Sequence, residues 1–405
     1  MQNVFMILGG SHAQLEAIQA VKKLGMKVLV LDMDPNAIGF KYADYFEVVS
    51  TTDFENVKKV AEKYRISGSM TLSSDTAVPT VCYVNEKLGL PNQGVGIGEL
   101  VTDKSLMRKA FSNHHISSPN FIVLNHDQTI LEILPNVERM LRNRDLIVKP
   151  SESSGSRGVS KIESVHQLEP AINLAREFTR NNNVVIEEFI EGVEIGAQCF
   201  SINGKMEMCF VHNDLSANMV PVGHSYPSFL SNEVLERVKN ECDNALSSLG
   251  IMNGPSNIDI IIDKEGCPFF IEIGARIGAT KLPQITKYHS GIDLIECSIQ
   301  LASGQDITIP IQTNIPVAVE MLCFEKEHDI TYKFEEIESL IHTYDPIEYK
   351  VNLKNGQEVK GIKSSADVYG FVICSGSSAQ NAEQKCRELS ESIKNKVVSI
   401  NSELV

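Results

Sequence analysis

The amino-acid sequence predicts a chain of mixed α/β and α+β class, and two features of its pattern indicate this. Apolar runs of strand length alternate with helical patterns through the first hundred residues, which favours a parallel sheet. Further along, acid-bearing strand patterns return on themselves across short glycine-containing turns, which favours antiparallel hairpins. At 405 residues, the chain is long enough for two or three domains.

The N-terminal region repeats one order of elements: an apolar strand, a helical pattern and a second strand. Gly25 is placed to end the first helix, because glycine adopts the left-handed conformation that closes many helices. Parallel strands joined by helices form a doubly wound sheet. Strands are expected at residues 4–8, 26–31, 45–49 and 69–72, and helices at residues 13–24, 54–63 and 78–88.

Two similar turns of this region each connect a strand to the following helix. The first, at residues 9–11, lacks the second and third glycines of the dinucleotide-binding pattern, so NAD or FAD is not expected there. This turn either packs tightly or faces a substrate. In the second turn, at residues 73–76, Ser74 is a candidate substrate contact, and Asp75 or Thr76 is expected to cap the next helix.

Residues 145–162 read DLIVKPSESSGSRGVSKI and carry the features of a phosphate-binding flap. An apolar run closed by Lys149 leads into serines and glycines, whose small size lets backbone N–H groups approach an anion closely. The glycine run leads into a strand instead of a helix, so the segment is not a Walker loop. Lys149 and Arg157 would supply positive charge; an ordinary serine-rich hairpin is the alternative.

A helix is expected from residue 104 to about residue 113, with Thr102 or Asp103 as its N-cap. Lys104 then falls in the first turn, where the helix dipole disfavours a cation. This position indicates an anion close to Lys104. The break in pattern before this helix marks the end of a first domain at residues 1–97.

Residues 184–194 form an apolar strand that abruptly carries acids on both sides of a glycine. An adenine ring needs an acceptor for its exocyclic amine, and backbone groups for its edge, inside an apolar slot. Glu187 and the backbone around Phe189 and Ile190 suit that need, and Glu194 is placed to reach ribose hydroxyls. A solvated acidic hairpin is the alternative.

The segment at residues 257–273 carries the pattern most specific for chemistry. Isoleucines alternate with Asp259, so the aspartate lies on the opposite face of its strand. If the turn is even-numbered, Asp263 pairs with Pro268. Asp259 then pairs directly with Glu272, whereas a three-residue turn would slip the register and move Glu272 to the other face.

Opposed residues of a hairpin have Cβ atoms about 5 Å apart. Two carboxylates at that distance repel each other unless a cation binds between them. Hard oxygen ligands at this spacing suit Mg²⁺ bound together with nucleotide phosphates. An exposed hairpin with unrelated acids is the alternative. Arg276 follows in the small-residue stretch Gly274–Ala279, where it can approach a phosphate or a carboxylate.

The composition argues against several classes of partner. A net charge of −15 argues against nucleic acids and anionic membranes, which favour a basic face. Apolar runs stay below the ~18 residues that a membrane span requires, and the first residues lack the basic start of a signal peptide. Nine irregularly spaced cysteines without a C-x-x-C pair indicate reduced thiols. A cytoplasmic protein is therefore expected.

In this order, the motifs resemble those of the ATP-grasp superfamily, specifically its carboxylate–amine ligase branch, over essentially the whole chain. The matching motifs are Asp103-Lys104, Lys149 before the flap, EEFIEGVE at residues 187–194, Asp259, and EIGAR at residues 272–276. The resemblance implies a Rossmann-like N-terminal domain that binds no dinucleotide and a two-lobed ATP-grasp domain at residues 98–310. It places the flap lobe at about residues 115–190. Residues 311–405 would form a small β-rich domain similar to that of biotin carboxylase and the purine-pathway members.

The resemblance also implies roles for the matching residues. Lys104 and Lys149 would contact the phosphates of ATP. Asp259 and Glu272 would hold Mg²⁺, or Mn²⁺ in its place. Arg276 would steady an acyl phosphate, so Arg276 and Lys149 are the expected catalytic residues. The remaining nucleotide contacts would come from the flap residues Ser153, Ser154, Gly155, Ser156 and Gly158, and from Glu187, Glu188, Phe189, Ile190 and Glu194.

One position departs from the family pattern, because Gly274 stands where many members carry an asparagine that can bind metal. A Gly-Ala-Arg version is typical of a branch that includes L-amino acid ligases. Among the histidines, His224 is the best-placed candidate for a substrate contact, beside a structural role. Arg276 and Ser74 are the other substrate candidates.

The expected reaction joins a small-molecule carboxylate to an amine through an acyl phosphate, with release of ADP and phosphate. A purine-pathway or carboxyphosphate-using enzyme is one alternative, and a non-catalytic nucleotide-binding module is another. Whether the chain forms a homodimer is left open.

Overall fold

The computed structural model describes residues 3–94, 96–217, 219–330, 334–364 and 367–397. The chain divides into two compact units. The first consists of Met1–Phe210, Asn232–Ala279 and Asp293–Pro310, and the second of Val211–Ser231, Thr280–Ile292 and Ile311–Val405. Every helix within the described ranges is too short or too polar to cross a lipid bilayer.

Eighteen strands and twelve α-helices are described. The strands are Val4–Leu8 (β1), Lys27–Asp32 (β2), Tyr45–Val48 (β3), Gly68–Met70 (β4), Phe121–Leu124 (β5), Leu146–Pro150 (β6), Ser160–Ile162 (β7), Val184–Glu188 (β8), Val193–Ile202 (β9), Lys205–Ala217 (β10), Val220–Tyr226 (β11), Gly254–Ile262 (β12), Pro268–Gly274 (β13), Val317–Met321 (β14), His328–Asp329 (β15), Glu348–Val351 (β16), Glu358–Val359 (β17) and Gly370–Ser375 (β18). The helices are Leu15–Lys23 (α1), Phe54–Tyr64 (α2), Val78–Lys87 (α3), Ile97–Leu100 (α4), Lys104–Asn113 (α5), Ile130–Leu141 (α6), Leu168–Arg176 (α7), Asn232–Leu249 (α8), Leu282–Ser290 (α9), Leu294–Ala302 (α10), Phe334–Tyr344 (α11) and Ala379–Val397 (α12).

The first unit begins with a parallel four-stranded sheet in the order β3-β2-β1-β4. Strand β1 is buried along its whole length, as expected for a continuous apolar run in a parallel sheet. Gly25 follows helix α1 with φ +76°, the left-handed conformation predicted for it. The predicted parallel sheet with intervening helices is confirmed.

The start of helix α3 differs from the prediction, because neither Asp75 nor Thr76 caps it. A 3-10 turn at Asp75–Ala77 leads directly into α3, and the N-cap position is Ala77. The turn before it is held by the buried Gln14, which donates from Nε2 to the Leu72 carbonyl at 2.6 Å and accepts from the Leu72 N–H at 2.8 Å. The Asp75 carboxylate is thereby left for another partner.

The flap lies in a second sheet of the first unit, ordered β5-β8-β6-β7 and antiparallel throughout. Helices α6 and α7 supply apolar side chains to the core of this sheet. Strand β5 is at one edge of this sheet. Strands β6 and β7 pair as a hairpin, and the serine- and glycine-rich segment connects them, which confirms a flap between two strands.

The predicted metal-binding motifs lie in a third sheet of the first unit, where strands follow the order β13-β12-β9-β10 and β12 is antiparallel to both β13 and β9. In the second unit, which contains the C-terminal part of β10, the strand order is β10-β11-β14-β18-β16. Strands β15 and β17 form a separate pair. One face of the second-unit sheet packs on α12, and Cys386, Leu389 and Ile393 of that helix are buried there.

We expect the substitution Gln14→Ala to lower the free energy of unfolding by about 2 kcal/mol or more, because two buried backbone groups of Leu72 lose their partner. Urea unfolding followed by circular dichroism measures this change. The exposed Gln19→Ala on the adjoining helix α1 is the matched control and should stay close to wild type. Equal midpoints for the two variants would contradict this account of the turn.

Candidate active site

Asp259 and Glu272 lie directly opposite each other on strands β12 and β13. The predicted pairing of the two carboxylates is confirmed, but the predicted register of the turn is wrong. Ile262 pairs with Pro268, because Asp263 belongs to the turn: its Oδ1 accepts from the Cys267 N–H at 2.8 Å. The register is therefore slipped by one residue next to the turn.

A β-bulge between Asp259 and Ile260 corrects the slipped register. On the facing strand, Glu272 pairs with Asp259 and Phe270 with Ile260, so Ile271 is the extra residue. Its carbonyl accepts a hydrogen bond from Arg108 Nη2 at 2.8 Å. The bulge returns Glu272 to the face of Asp259, and Arg108 holds the bulge in place.

Arg108 is fully buried and also contacts the adenine-site candidate Glu187. Its Nε lies 2.8 Å from Glu187 Oε2, and Lys149 Nζ donates to Glu187 Oε1. Both oxygens of Glu187 therefore already have cationic partners. The contact of Glu187 with adenine stays a prediction, and the structure shows that Glu187 also orients Lys149.

The pKa values in this cluster follow from burial and charge. Burial lowers the pKa of Lys149 to about 8, and the neighbouring cations Arg108 and Lys104 act in the same direction against the attraction of Glu187. Burial by itself would raise the pKa of Glu187, but the charges of Arg108 and Lys149 outweigh it and hold that pKa below its usual range. An anion bound next to Lys149 would therefore stabilise the charged form of its side chain.

Lys104 joins the flap to the metal-site candidates. Asp103 caps helix α5 through its side chain, as one of the two predicted N-caps, and Lys104 is the first helical residue. Lys104 Nζ donates to the Ser153 carbonyl at 2.7 Å and to Glu272 Oε1 at 3.0 Å. The anion that its unfavourable position in the helix predicted is the Glu272 carboxylate.

The flap is held by bonds between its own residues. Ser153 Oγ donates to the Arg157 carbonyl at 3.2 Å, and Arg157 Nε donates to the Ser154 carbonyl at 3.1 Å. Three flap residues have positive φ angles, namely Gly155 at +66°, Ser156 at +59° and Gly158 at +75°. Such conformations turn successive backbone groups toward one side, as in anion-binding nests.

The remaining adenine-site candidates lie at the end of β8 and the start of β9. Ile190 is buried, and the Phe189 ring lies under Lys161 Nζ at 4.2 Å from its centroid. Glu188 accepts from Asn120 Nδ2 at 3.0 Å. Glu194 is exposed opposite Ile261 of β12.

Asp259 is oriented by a chain of buried amides. Asn257 Nδ2 donates to Asp259 Oδ1 at 2.9 Å, and the Asn257 oxygen accepts from Gln198 Nε2. Gln198 in turn accepts from the Gly278 N–H at 2.8 Å. Asn257 also pairs across the strands with Gly274, the position where an asparagine was expected.

Arg276 makes a bidentate ion pair with Asp75. Its Nε lies 2.8 Å from Asp75 Oδ1 and its Nη2 lies 3.1 Å from Oδ2. Burial by itself would lower the pKa of Arg276. The carboxylates of Asp75, Asp259 and Glu272 outweigh burial and raise that pKa. The predicted site residue Arg276 thus lies close enough to the paired acids for their charges to stabilise its guanidinium.

His224 lies in the second unit, in a buried group with His212 and Asp214. Both histidine Nδ1 atoms donate to Asp214 Oδ1, at 2.5 Å from His224 and 2.8 Å from His212. Burial lowers the pKa of His224 despite the opposite effect of Asp214. The structure gives His224 a buried hydrogen bond, and its contact with a substrate stays a prediction. Ser74 lies partly exposed beside Asp75.

Sequence reasoning missed Arg108 and did not assign Asp75 to the site. Arg108 follows Lys104 by four residues, so both side chains lie on one face of α5. Two cations on one helix face, beside an acid-bearing hairpin and an acid-bearing strand, were the available signal. Asp75 had no comparable signal, because its partner lies 201 positions away in the chain.

The family described as ATP-grasp domain matches residues 143–284, which include the flap, the acidic strand and the paired acids. D-alanine–D-alanine ligase of Nitrosomonas eutropha is 27% identical over 229 residues, covering 53% of this chain and 71% of that protein. Alanine–anticapsin ligase of Bacillus subtilis is 26% identical over 281 residues, covering 63% of this chain and 58% of that protein.

Solved structures resemble the chain over nearly its whole length. The L-amino acid ligase from Bacillus licheniformis superposes with a TM-score of 0.79 at 20% identity, covering 98% of each chain. Phosphoribosylglycinamide synthetase from Anaerococcus prevotii superposes with a TM-score of 0.73 at 22% identity, covering 98% of this chain and 99% of that one. At such identities, these likenesses establish the fold.

We expect the free energy of unfolding to rise between pH 8 and about 10.5 through Lys149, because in that window the unfolded chain binds a proton that the folded chain does not. The shift corresponds to a rise on the order of 3 kcal/mol. Urea unfolding of wild type and Lys149→Met at both ends of the window isolates this rise. The exposed Lys264→Met is the control, and a pH-independent difference between wild type and Lys149→Met would contradict the burial argument.

Proposed function

Because the chain is an ATP-grasp ligase of the C–N bond-forming kind, we propose that it activates a small carboxylic acid as an acyl phosphate and transfers the acyl group to an amine. ADP and phosphate are the other products. One contact carries the proposal: Lys104 Nζ bonds both the flap carbonyl of Ser153 and the carboxylate of Glu272. A nucleotide phosphate under the flap would therefore lie beside the paired acids.

The phosphates of ATP would be bound by two lysines and the flap. Lys104 and Lys149 are both buried, and each is held by an acid that an incoming phosphate can partly replace as a partner. Backbone N–H groups near Gly155 and Gly158 would add donors, since the positive φ angles there favour an anion-binding nest. The adenine ring would lie against Ile190 and the backbone next to it.

Asp259 and Glu272 fit a divalent cation of the Mg²⁺ type. They offer hard oxygen ligands from directly paired positions, and Mg²⁺ commonly takes one or two carboxylates together with nucleotide phosphates. Asn257 fixes the direction of the Asp259 carboxylate through a hydrogen bond at 2.9 Å. When bound, the ion would neutralise phosphate charge; Mn²⁺ would suit the same oxygen ligands.

The chain's own cations address the main barrier of the first step. Attack of a carboxylate on the γ-phosphate brings two anions together, and preorganised cations lower that cost. Lys149 and Arg276 would take this role, and neither would need to act as a nucleophile. The acyl phosphate is then captured by an amine, and a closed flap would protect it from water.

We expect Glu272→Gln to lower ATP turnover by at least about 100-fold, because the neutral amide no longer supplies a charged oxygen at the metal site. The melting temperature should stay close to wild type, since the amide has the same shape. Coupled measurement of ADP release tests this. Glu265→Gln, at the exposed turn of the same hairpin, is the control and should keep full turnover. Unchanged turnover in Glu272→Gln would remove Glu272 from the metal site.

Mg-ATP should slow hydrogen exchange at the backbone amides of residues 151–160, because the flap is expected to close over the phosphates. Hydrogen-exchange mass spectrometry with and without Mg-ATP measures the effect, and amides of strand β1 serve as an internal reference. Equal exchange of the flap in both conditions would count against its role in nucleotide binding.

A further inference from the structure

The ion pair of Asp75 and Arg276 presents a carboxylate and a guanidinium side by side at the site. The side chains are 18% and 13% exposed, so both are shielded but within reach of a small ligand. Arg276 uses two of its five N–H donors on Asp75, and a carboxylate has about four acceptor positions. Each partner therefore keeps hydrogen-bonding capacity for a ligand.

The turn that carries Asp75 is fixed on both sides. Gln14 holds both backbone groups of Leu72, as described above, and Ser73 adopts a positive φ of +55°. Ser73 Oγ donates to the Gly278 carbonyl at 2.9 Å, which ties the turn to the segment that carries Arg276. A non-glycine residue held in a left-handed conformation is typical of functional turns.

Gly274 leaves room for the ion pair beside the metal-site glutamate. A Cβ atom at this position would lie 3.3 Å from both Arg276 Cζ and Asp75 Oδ1, which is a tight contact. Residues two apart on a strand share a face, so Gly274 separates Glu272 from the pair without placing any side chain between them. Glycine in place of asparagine therefore leaves room at this position for the ion pair of Asp75 and Arg276.

The charge of Asp75 is stable at neutral pH. Burial by itself would raise its pKa, but Arg276 and Lys104 outweigh burial and keep the pKa below its usual range. A carboxylate with a lowered pKa is a poor base and a good partner for a cation. Because the Asp75 carboxylate favours the charged form of an ammonium group, it would keep an attacking amine protonated and unreactive. The site therefore suits an ammonium group that takes no part in the reaction.

We propose that Asp75 binds the α-ammonium group of an amino acid whose own carboxylate is the group activated by ATP. The adjacent charges of Asp75 and Arg276 complement the ammonium and carboxyl groups that an α-amino acid carries on one carbon. This inference rests on the proposed ligase function and names the acid substrate class. A carboxyphosphate-forming enzyme would activate bicarbonate, which has no ammonium group for Asp75 to bind.

Trapping of the acyl phosphate with hydroxylamine tests the inference without knowledge of the natural amine. The acid oxygen attacks the γ-phosphorus and releases ADP; the hydroxylamine nitrogen then attacks the acyl carbon and releases phosphate, leaving a hydroxamate. The full chain with Mg-ATP is given L-amino acids and their des-amino counterparts, such as L-alanine with propionate and L-glutamate with glutarate, and also bicarbonate. Each hydroxamate is quantified by mass spectrometry, and phosphate release is followed for bicarbonate.

In wild type, the best amino acid should exceed its des-amino counterpart at least about 100-fold in kcat/KM, because a site built for a polar group rejects analogues that lack it. Asp75→Asn should reduce this ratio to within about 10-fold, since the neutral amide no longer favours an ammonium group. A merely structural role would lower both activities together and leave the ratio unchanged. Asp44→Asn, which removes an ion pair with Lys27 elsewhere in the first unit, is the matched control and should keep the wild-type ratio.

The outcomes separate this inference from the function on which it rests. Hydroxamate formed equally well from des-amino acids, phosphate release with bicarbonate alone, or an unchanged ratio in Asp75→Asn would overturn the role of Asp75 and leave acyl-phosphate chemistry standing. Absence of acid-dependent turnover with every acid tested would overturn the proposed function and this inference together. The wild-type comparison needs no variant, so it can overturn the inference even if Asp75→Asn fails to fold.

Discussion

The site depends on the pairing of Asp259 with Glu272, and that pairing depends on one extra residue in β13. Without the bulge at Ile271, the register set by the turn would move Glu272 to the opposite face of its strand. Arg108 binds the bulge carbonyl with one nitrogen and Glu187 with another. A single buried side chain therefore links the position of Glu272 to the position of Lys149.

Helix α5 organises the charges around this pairing. Lys104 and Arg108 lie on one of its faces, where two cations would repel each other in an isolated helix. Glu272 of strand β13 and Glu187 of strand β8 offset that repulsion. The result is a cluster of buried cations whose partners are acids of the site itself. Such a cluster favours a polyanionic ligand, because an added phosphate meets donors that are already oriented.

The sequence was sufficient for the features that depend on local pattern. Alternation placed the parallel sheet, the flap between β6 and β7 and the hairpin acids. The turn register was predicted incorrectly, because the prediction assumed an even-numbered turn and the residue types do not reveal the bulge in β13 that compensates for the actual register. Arg108 was missed because one arginine in an amphipathic helix is typical of a surface. The partnership of Asp75 with Arg276 joins distant segments, and only the fold brings them together.

The central claim is that Asp259 and Glu272 together hold a divalent ion against the phosphates of a nucleotide. Anomalous scattering from a crystal grown with Mn²⁺ and ADP tests it most directly. We expect the strongest anomalous peak within coordination distance of both carboxylates and of a nucleotide phosphate oxygen. A Mn²⁺–ADP complex bound elsewhere on the chain, with the two side chains directed away from the ion, would contradict the account.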